Sequence, residues 1–349
     1  MSTSKTSLSV IIASIIVIIA GVMAAKSVIL PFVLAVFISV ICMQPISWLE
    51  KRKVPFGLAV FIVLMVVAMI LILLGGIIGR SLNNFMKDVP KYEENLRSMF
   101  TSIIDSLNAI GADIDSTQLI DLIDPGKLIS FTTGALGEIG RLMSDSFIIL
   151  LITVFVLLEA KSFINKAIVV QKHYGTSLSH FNQIGNSIRH YLSIKTIISI
   201  LTGLFIWFWL WLFGIDYAIL WGVIAFLLNY IPSIGSIIAA VPTILLALVQ
   251  QGVGAMIWTA VGYLIVNTVM GNVVEPRVMG KGLGLSTLVV FMSLIIWGFV
   301  FGPVGMFLSV PLTITLKIFL EQSEKTRWLS VLIGSGQDSK RLLQRDKDL

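Results

Sequence analysis

Three short groups of residues hold most of the chemistry available to this chain. Asn229, Pro232, Ser233 and Gly235 form the first, Asn272, Glu275 and Arg277 the second, and Pro303, Gly305 and Pro311 the third. All interrupt or border long apolar stretches. A proline in such a stretch removes a ladder hydrogen bond and clashes with the preceding turn. Hydrocarbon cannot satisfy the freed backbone groups, so the breaks must be buried in protein or line a water-filled cavity. The neutral hydrogen-bonding side chains beside them suit a small polar, weakly charged solute, with helix packing as the competing role for any single Ser. Glu275 is of another kind, because an ionisable group at mid-bilayer costs about 2.5–3.5 kcal/mol on insertion scales and is therefore functional or paired. Pro276 biases Glu275 away from helix. Arg277 is its nearest partner in sequence and would brace a bend there. The alternative is a carboxylate facing the cavity, where it takes up a proton or contacts solute.

Other chemistry is excluded by residue type and spacing. His173, His180 and His190 lack the His-x3-His spacing or added carboxylates of a metal site. Asp113, Asp115, Asp121 and Asp124 lack the loop glycine and bidentate Glu of a calcium hand and read as helix caps. Gly280-Lys281-Gly282-Leu283-Gly284 is not a phosphate loop, since no strand precedes it and no Gly-x4-Gly-Lys-Ser/Thr is present. Cys42, the single cysteine, permits neither an intrachain disulfide nor a thiolate metal cluster. No catalytic set for an intramembrane protease is present. The expectation is a protein that is not an enzyme, holds no metal or cofactor and binds no nucleic acid.

The elements that position the three groups follow from composition. Of 349 residues, 56% are hydrophobic and only 13% charged, against about 25% charged in soluble domains. A helix needs about 20 mainly apolar residues to span a bilayer. Leu8–Ala25, Val28–Trp48 and Pro55–Ile78 are the first three spans, with Pro31 in the first turn of the second. Leu8–Ala25 is too long for a cleaved signal and leads straight into a second span. Residues 80–145 hold ten acids against six bases and no spanning run. Apolar residues at Leu96, Met99, Phe100, Ile103, Ile104 and Leu107 give this stretch the spacing of an amphipathic helix beginning near Tyr92. Asp124-Pro125 reads as a cap and first helical residue. Span four combines Ala135–Met143 with Phe147–Leu158. Residues 159–195 carry one acid and five bases, and Thr196–Phe213 is span five, ending in aromatics suited to the headgroup region. Gly75-x3-Gly79 is a helix-packing signal. Basic loops mark the cytoplasmic side, so Lys51–Lys53 and 159–195 face inward, the acidic insert faces outward and the N-terminus is cytoplasmic.

In the C-terminal third, Trp221-Gly222, Pro232…Gly235 and Pro242-Thr243 are matched by Trp297-Gly298, Pro303…Gly305 and Pro311-Leu312-Thr313. Paired, Gly/Pro-interrupted segments point to a transporter's binding site. Each is expected to break twice, at the Pro…Gly step and again at the second proline. Ordinary loops joining short spans are the alternative.

The residues Asn229-Tyr230-Ile231-Pro232-Ser233-Ile234-Gly235-Ser236, and Glu275-Pro276-Arg277-Val278-Met279-Gly280 with Gly282-Leu283-Gly284-Leu285-Ser286-Thr287, resemble the autoinducer-2 exporter family. So does Trp297-Gly298 through Gly302-Pro303-Val304-Gly305 to Pro311-Leu312-Thr313, and the likeness covers almost the whole chain. Many members carry His-Pro where this chain has Ser286-Thr287. The Ser-Thr form resembles the branch of autoinducer-2 transport proteins. The resemblance implies a bacterial inner-membrane exporter of a small signalling molecule, acting in quorum sensing and biofilm control and assembling as homo-oligomers such as pentamers. Other branches are similar to sodium (lithium)/proton antiporters, which keeps a coupling ion, proton or sodium, among the expected partners. A non-transporting oligomeric scaffold is the alternative from another class, and it has no need of broken helices at membrane depth. The expected fold is an all-α polytopic membrane protein of about eight spans, with broken or re-entrant helices in the C-terminal third and a small helical extracytoplasmic insert. Its segments are 1–79, the insert 80–145, spans four and five in 146–213, an interrupted transport core 214–320 and a cytoplasmic tail 321–349.

Overall fold

The computed structural model describes residues 8–109, 145–174, 179–232, 234–279 and 284–336, with the isolated Gly134 and Gly137. Among these residues the chain is helical, and its one β feature is an isolated antiparallel bridge between Leu285 and Gly334. The helices are α1 (Leu8–Ala24), α2 (Lys26–Lys51), α3 (Phe56–Ala109), α4 (Ser146–Tyr174), α5 (Ser179–Leu212), α6 (Ala218–Leu228), α7 (Gly235–Gln251), α8 (Val253–Val266), a π-helix (Asn267–Val274), α9 (Glu275–Met279), α10 (Thr287–Phe301), α11 (Pro303–Glu321) and α12 (Arg327–Ile333). Six described helices are long and apolar enough to cross a membrane, and α6, α7 and α10 are shorter apolar helices. The all-helical, polytopic reading holds. Asp124-Pro125, the Ala135–Met143 extension of span four apart from Gly137, and Ser233 lie outside the described residues.

The described residues divide into two compact units. One draws on Met1–Val66, Phe147–Ile194 and Met279–Leu349. Here α1 and α2 join through Ala25 alone, so α2 begins at Lys26 and Pro31 falls inside the helix rather than in its first turn. Helices α10 and α11 form a hairpin that turns at Gly302 (φ 72°), with Pro303 as the first residue of α11. The loop entering α10 is tied to the end of α12, with Ser286 N donating to Ile333 O and Ser335 N to Gly284 O.

The other unit draws on Val67–Ser146 and Lys195–Val278. Span three does not stop at Ile78: α3 continues as one 54-residue helix. At about 1.5 Å per residue it is far longer than the roughly 30 Å hydrocarbon core. The reason lies in a stripe that begins earlier than Tyr92. Ile78, Leu82, Phe85, Val89, Tyr92 and Leu96 alternate steps of four and three residues, keeping one apolar face across the polar stretch. That face packs in a core with Leu210, Trp221, Ala239 and Leu246. The edges of the Tyr217 and Trp221 rings meet Phe85 at 5.8 and 6.2 Å between centroids. Helices α6 and α7 form a second hairpin. The 11 residues of α6 reach only about 16 Å, half a bilayer core. At that length it does not cross the core by itself.

Candidate functional site

The site is built on α5. Lys195, Ser199 and Thr202 recur at i, i+4 and i+7 and therefore share one helix face. All three are buried, at 3%, 0% and 3% exposure. Glycines bring α6 against this face. A Cβ on Gly203 would lie 2.7 Å from Gly222 O, and one on Gly222 would lie 2.6 Å from Trp207 Cβ. The two helices thus meet backbone to backbone, and the end of α6 comes within reach of the stripe. Asn229 Nδ2 donates to Ser199 Oγ at 3.0 Å. Tyr230 OH donates to Thr196 Oγ1 at 2.7 Å.

The hairpin tip follows immediately. Ile231 N donates to Leu228 O at 2.9 Å and Gly235 N to Ile231 O at 3.3 Å, with Pro232 in the turn. A Cβ on Gly235 would sit 1.8 Å from Leu228 O, so no side chain fits there. The hairpin of the other unit uses the same device, a Cβ on Gly305 falling 1.9 Å from Trp297 O. Each interrupted segment therefore breaks once, not twice. Pro242 and Pro311 lie inside α7 and α11. Hydroxyls stand beside them: Thr243 donates to Ala239 O, Thr313 to Ser309 O and Thr315 to Pro311 O. Buried hydroxyls of this kind help a membrane helix tolerate a proline. Thr243 also bonds Tyr263 OH at 3.0 Å, and Trp297 Nε1 donates to Thr313 at 3.0 Å.

Glu275 reaches the same face of α5. Lys195 Nζ lies 2.8 Å from both of its carboxylate oxygens, with side-chain exposures of 3% for Lys195 and 19% for Glu275. The expected Glu275–Arg277 brace is not formed, and Arg277 is exposed. Nor does Pro276 take Glu275 out of helix, for its φ is −57° and ψ −50°. Glu275 N donates to Met270 O, the five-residue bond of the π-helix. A π turn is wider than an α turn, which relieves the clash between a proline ring and the carbonyl four residues back. Asn272 lies in this π segment and is exposed, so it is not among the residues brought to α5.

The structure therefore unites Asn229, Pro232, Gly235 and Glu275 around a helix face that the sequence reading missed. By charge Lys195 sorts with the basic loop, and by hydropathy Thr196 and Ser199 sort with an apolar span. The signal was the polar 195/199/202 spacing in an otherwise apolar run. Thr202 Oγ1 and Trp221 Nε1 are buried without hydrogen-bond partners among the described residues, which adds unspent polar capacity to this unit. Pro303, Gly305 and Pro311 belong to the other unit and are described only within it.

At the far end of α5 the turn to α6 is tied down by polar bonds. Gln251 Nε2 donates to Gly214 O at 2.9 Å, and Gln250 Oε1 accepts from Asp216 N at 3.0 Å. Tyr92 OH donates to Asp216 at 3.0 Å and Tyr217 OH to Asp88, joining the α3 extension to this turn. Burial first, then the Asp88 carboxylate, pushes the Tyr217 phenol well above its ordinary range. Tyr217 also has a φ of 57°, a left-handed conformation that non-glycine residues hold only when surrounding bonds impose it.

Polar groups gathered at a Pro/Gly-marked hairpin tip of a polytopic helical protein suit a membrane transport protein. The chain belongs to the AI-2E family of transporters, whose family model matches residues 12–325. It is 39% identical over 325 residues to the AI-2 transport protein TqsA of Escherichia coli K12, covering 93% of this chain and 94% of that protein. It is 37% identical to a putative transport protein of Haemophilus influenzae, covering 94% and 96%. A putative transport protein of E. coli K12, YhhT, is 34% identical over 97% of both chains.

Proposed function

We propose that this transporter exports a small polar signalling molecule, autoinducer-2, across the bacterial inner membrane and draws on an ion gradient to do so. The observation that carries the reading is the buried polar face of α5, bonded to the hairpin tip at Asn229 and Tyr230 inside an apolar unit. Its 39% identity to a protein named for AI-2 transport supports the choice of solute. In this reading Asn229 and Ser233 bond solute, Pro232 and Gly235 hold the tip, and Glu275 and Asn272 border the path. Arg277 flanks it. Pro303, Gly305 and Pro311 shape a second element of the pathway. The N-terminus and the 159–195 segment are cytoplasmic, the 80–145 insert is outside, and the protein works as a homo-oligomer, a pentamer by family resemblance.

The buried Lys195–Glu275 pair favours a second reading, sodium (lithium)/proton antiport, because a membrane-embedded carboxylate is a common cation site. Inverted vesicles containing the protein separate the two. Accumulation of labelled autoinducer-2 that requires an imposed proton gradient supports export. Sodium-dependent proton movement without autoinducer-2 uptake supports antiport.

A further inference from the structure

We propose that a proton and the exported solute compete for the Glu275 carboxylate, with Lys195 as its resident counter-ion. The inference rests on the export reading and deepens it. A carboxylate has about four lone-pair directions. Lys195 approaches both oxygens at 2.8 Å, leaving one direction on each for further donors. Glu275 keeps 19% of its side chain exposed whereas Lys195 keeps 3%. The acceptor can therefore be reached while its counter-ion is enclosed. The ionised pair is neutral as a whole and offers negative oxygens to a solute bearing hydroxyl groups.

A proton on Glu275 changes this in one step. One carboxylate oxygen becomes a hydroxyl, the carboxyl loses its charge, and the charge-assisted bonds to solute donors weaken. Proton and solute thus exclude each other at a single group. Protonation from the acidic outer side releases solute there, and deprotonation toward the cytoplasm restores the acceptor. That exclusion is what an inward proton gradient needs in order to drive export.

The surroundings transmit the change. Glu275 follows directly on an eight-residue π-helix, and π turns inside helices are frequent at functional sites. Returning one π turn to α geometry shifts the register by a residue and turns Glu275 by about 100°. Lys195 adjoins Thr196, the acceptor of Tyr230, and lies one turn from Ser199, the acceptor of Asn229. A change at Glu275 therefore reaches the hairpin tip through a single stretch of α5. Among the described residues, the charged group against Glu275 is Lys195 on α5, and Arg277, two residues on along its own helix, is exposed.

The test is equilibrium binding of isotope-labelled autoinducer-2 to the full-length protein in lipid nanodiscs between pH 5.5 and 8.5. Wild-type affinity should fall as pH is lowered, approaching about tenfold per pH unit for one competing proton. Glu275→Gln should bind with weaker affinity that no longer depends on pH. Lys195→Gln should alter the affinity–pH profile, because the carboxylate then lacks the counter-ion that holds both of its oxygens. Lys195→Arg should restore it. A measurement on wild type alone keeps the proposal falsifiable should these variants fail to fold. At low pH, titration calorimetry in buffers of different ionisation enthalpy should register about one proton released per solute bound. Wild-type binding with pH-independent affinity and no proton release would overturn this inference and leave export standing. No autoinducer-2 binding at any pH would overturn the export reading itself.

Discussion

Replacing Gly235 with alanine adds one methyl group at the point where the α6–α7 hairpin closes. The new Cβ would lie 1.8 Å from Leu228 O and 2.7 Å from Leu228 C, against 3.4 Å for ordinary contact. The two arms of the helical hairpin must part by about 1.6 Å, the difference between 3.4 and 1.8. The obstructing atoms are backbone, so no side-chain rotation relieves the clash. Overpacking of this kind costs about 1–3 kcal/mol. Parting the tip also strains the Asn229–Ser199 and Tyr230–Thr196 bonds, each worth about 0.5–1.5 kcal/mol. The combined destabilisation is about 2–6 kcal/mol. Gly254→Ala is the control, since its Cβ would meet nothing within 4 Å. Thermal unfolding of the purified protein and uptake of labelled autoinducer-2 by inverted vesicles should both fall for Gly235→Ala and hold for Gly254→Ala. A Gly235→Ala protein with wild-type Tm and flux would refute the close approach.

Lys195→Ala should destabilise the protein because it strands a half-buried carboxylate, whereas Lys195→Ala/Glu275→Ala should recover much of that loss; chemical unfolding of the three proteins measures it. In the other hairpin, Gly302→Ala should lower Tm more than Pro303→Ala, since Gly302 holds a φ of 72° while a first-turn proline gives up no helix bond. Tyr217→Phe removes the bond to Asp88 and should lower stability by about 1–2 kcal/mol, read from the same unfolding curves. For topology, Ser98→Cys should react with an impermeant maleimide from outside the cell and His173→Cys only in inverted vesicles. Labelling of both from one side would overturn the orientation.

Much of the fold is legible in the sequence because bilayer length and apolar runs dictate it. The two hairpins are legible too, since Pro and Gly mark where an apolar helix must turn. What the sequence reading got wrong depends on tertiary company. Pro242 and Pro311 look like breaks, yet both stay helical where neighbouring Thr hydroxyls engage the backbone. Span three looks complete at Ile78, but the stripe through Leu82, Phe85 and Val89 carries the helix onward. Arg277 is nearest to Glu275 along the chain, whereas the ion pair forms with Lys195, 80 residues away. Charge counting assigned Lys195 to a loop. Only the packing of α5 against the α6 end and the π-helix turns that lysine into part of a site.

Proteoliposomes containing the purified protein test most directly whether autoinducer-2 crosses the membrane through this chain. With protein inserted inside-out, an acidic lumen and a neutral exterior, labelled autoinducer-2 should accumulate in the lumen above its external concentration. Ser199→Ala/Asn229→Leu, which removes the bonded pair at the hairpin tip, should insert normally and accumulate much less. Equal accumulation in protein-free liposomes, or in liposomes carrying wild type and the double variant, would contradict the account.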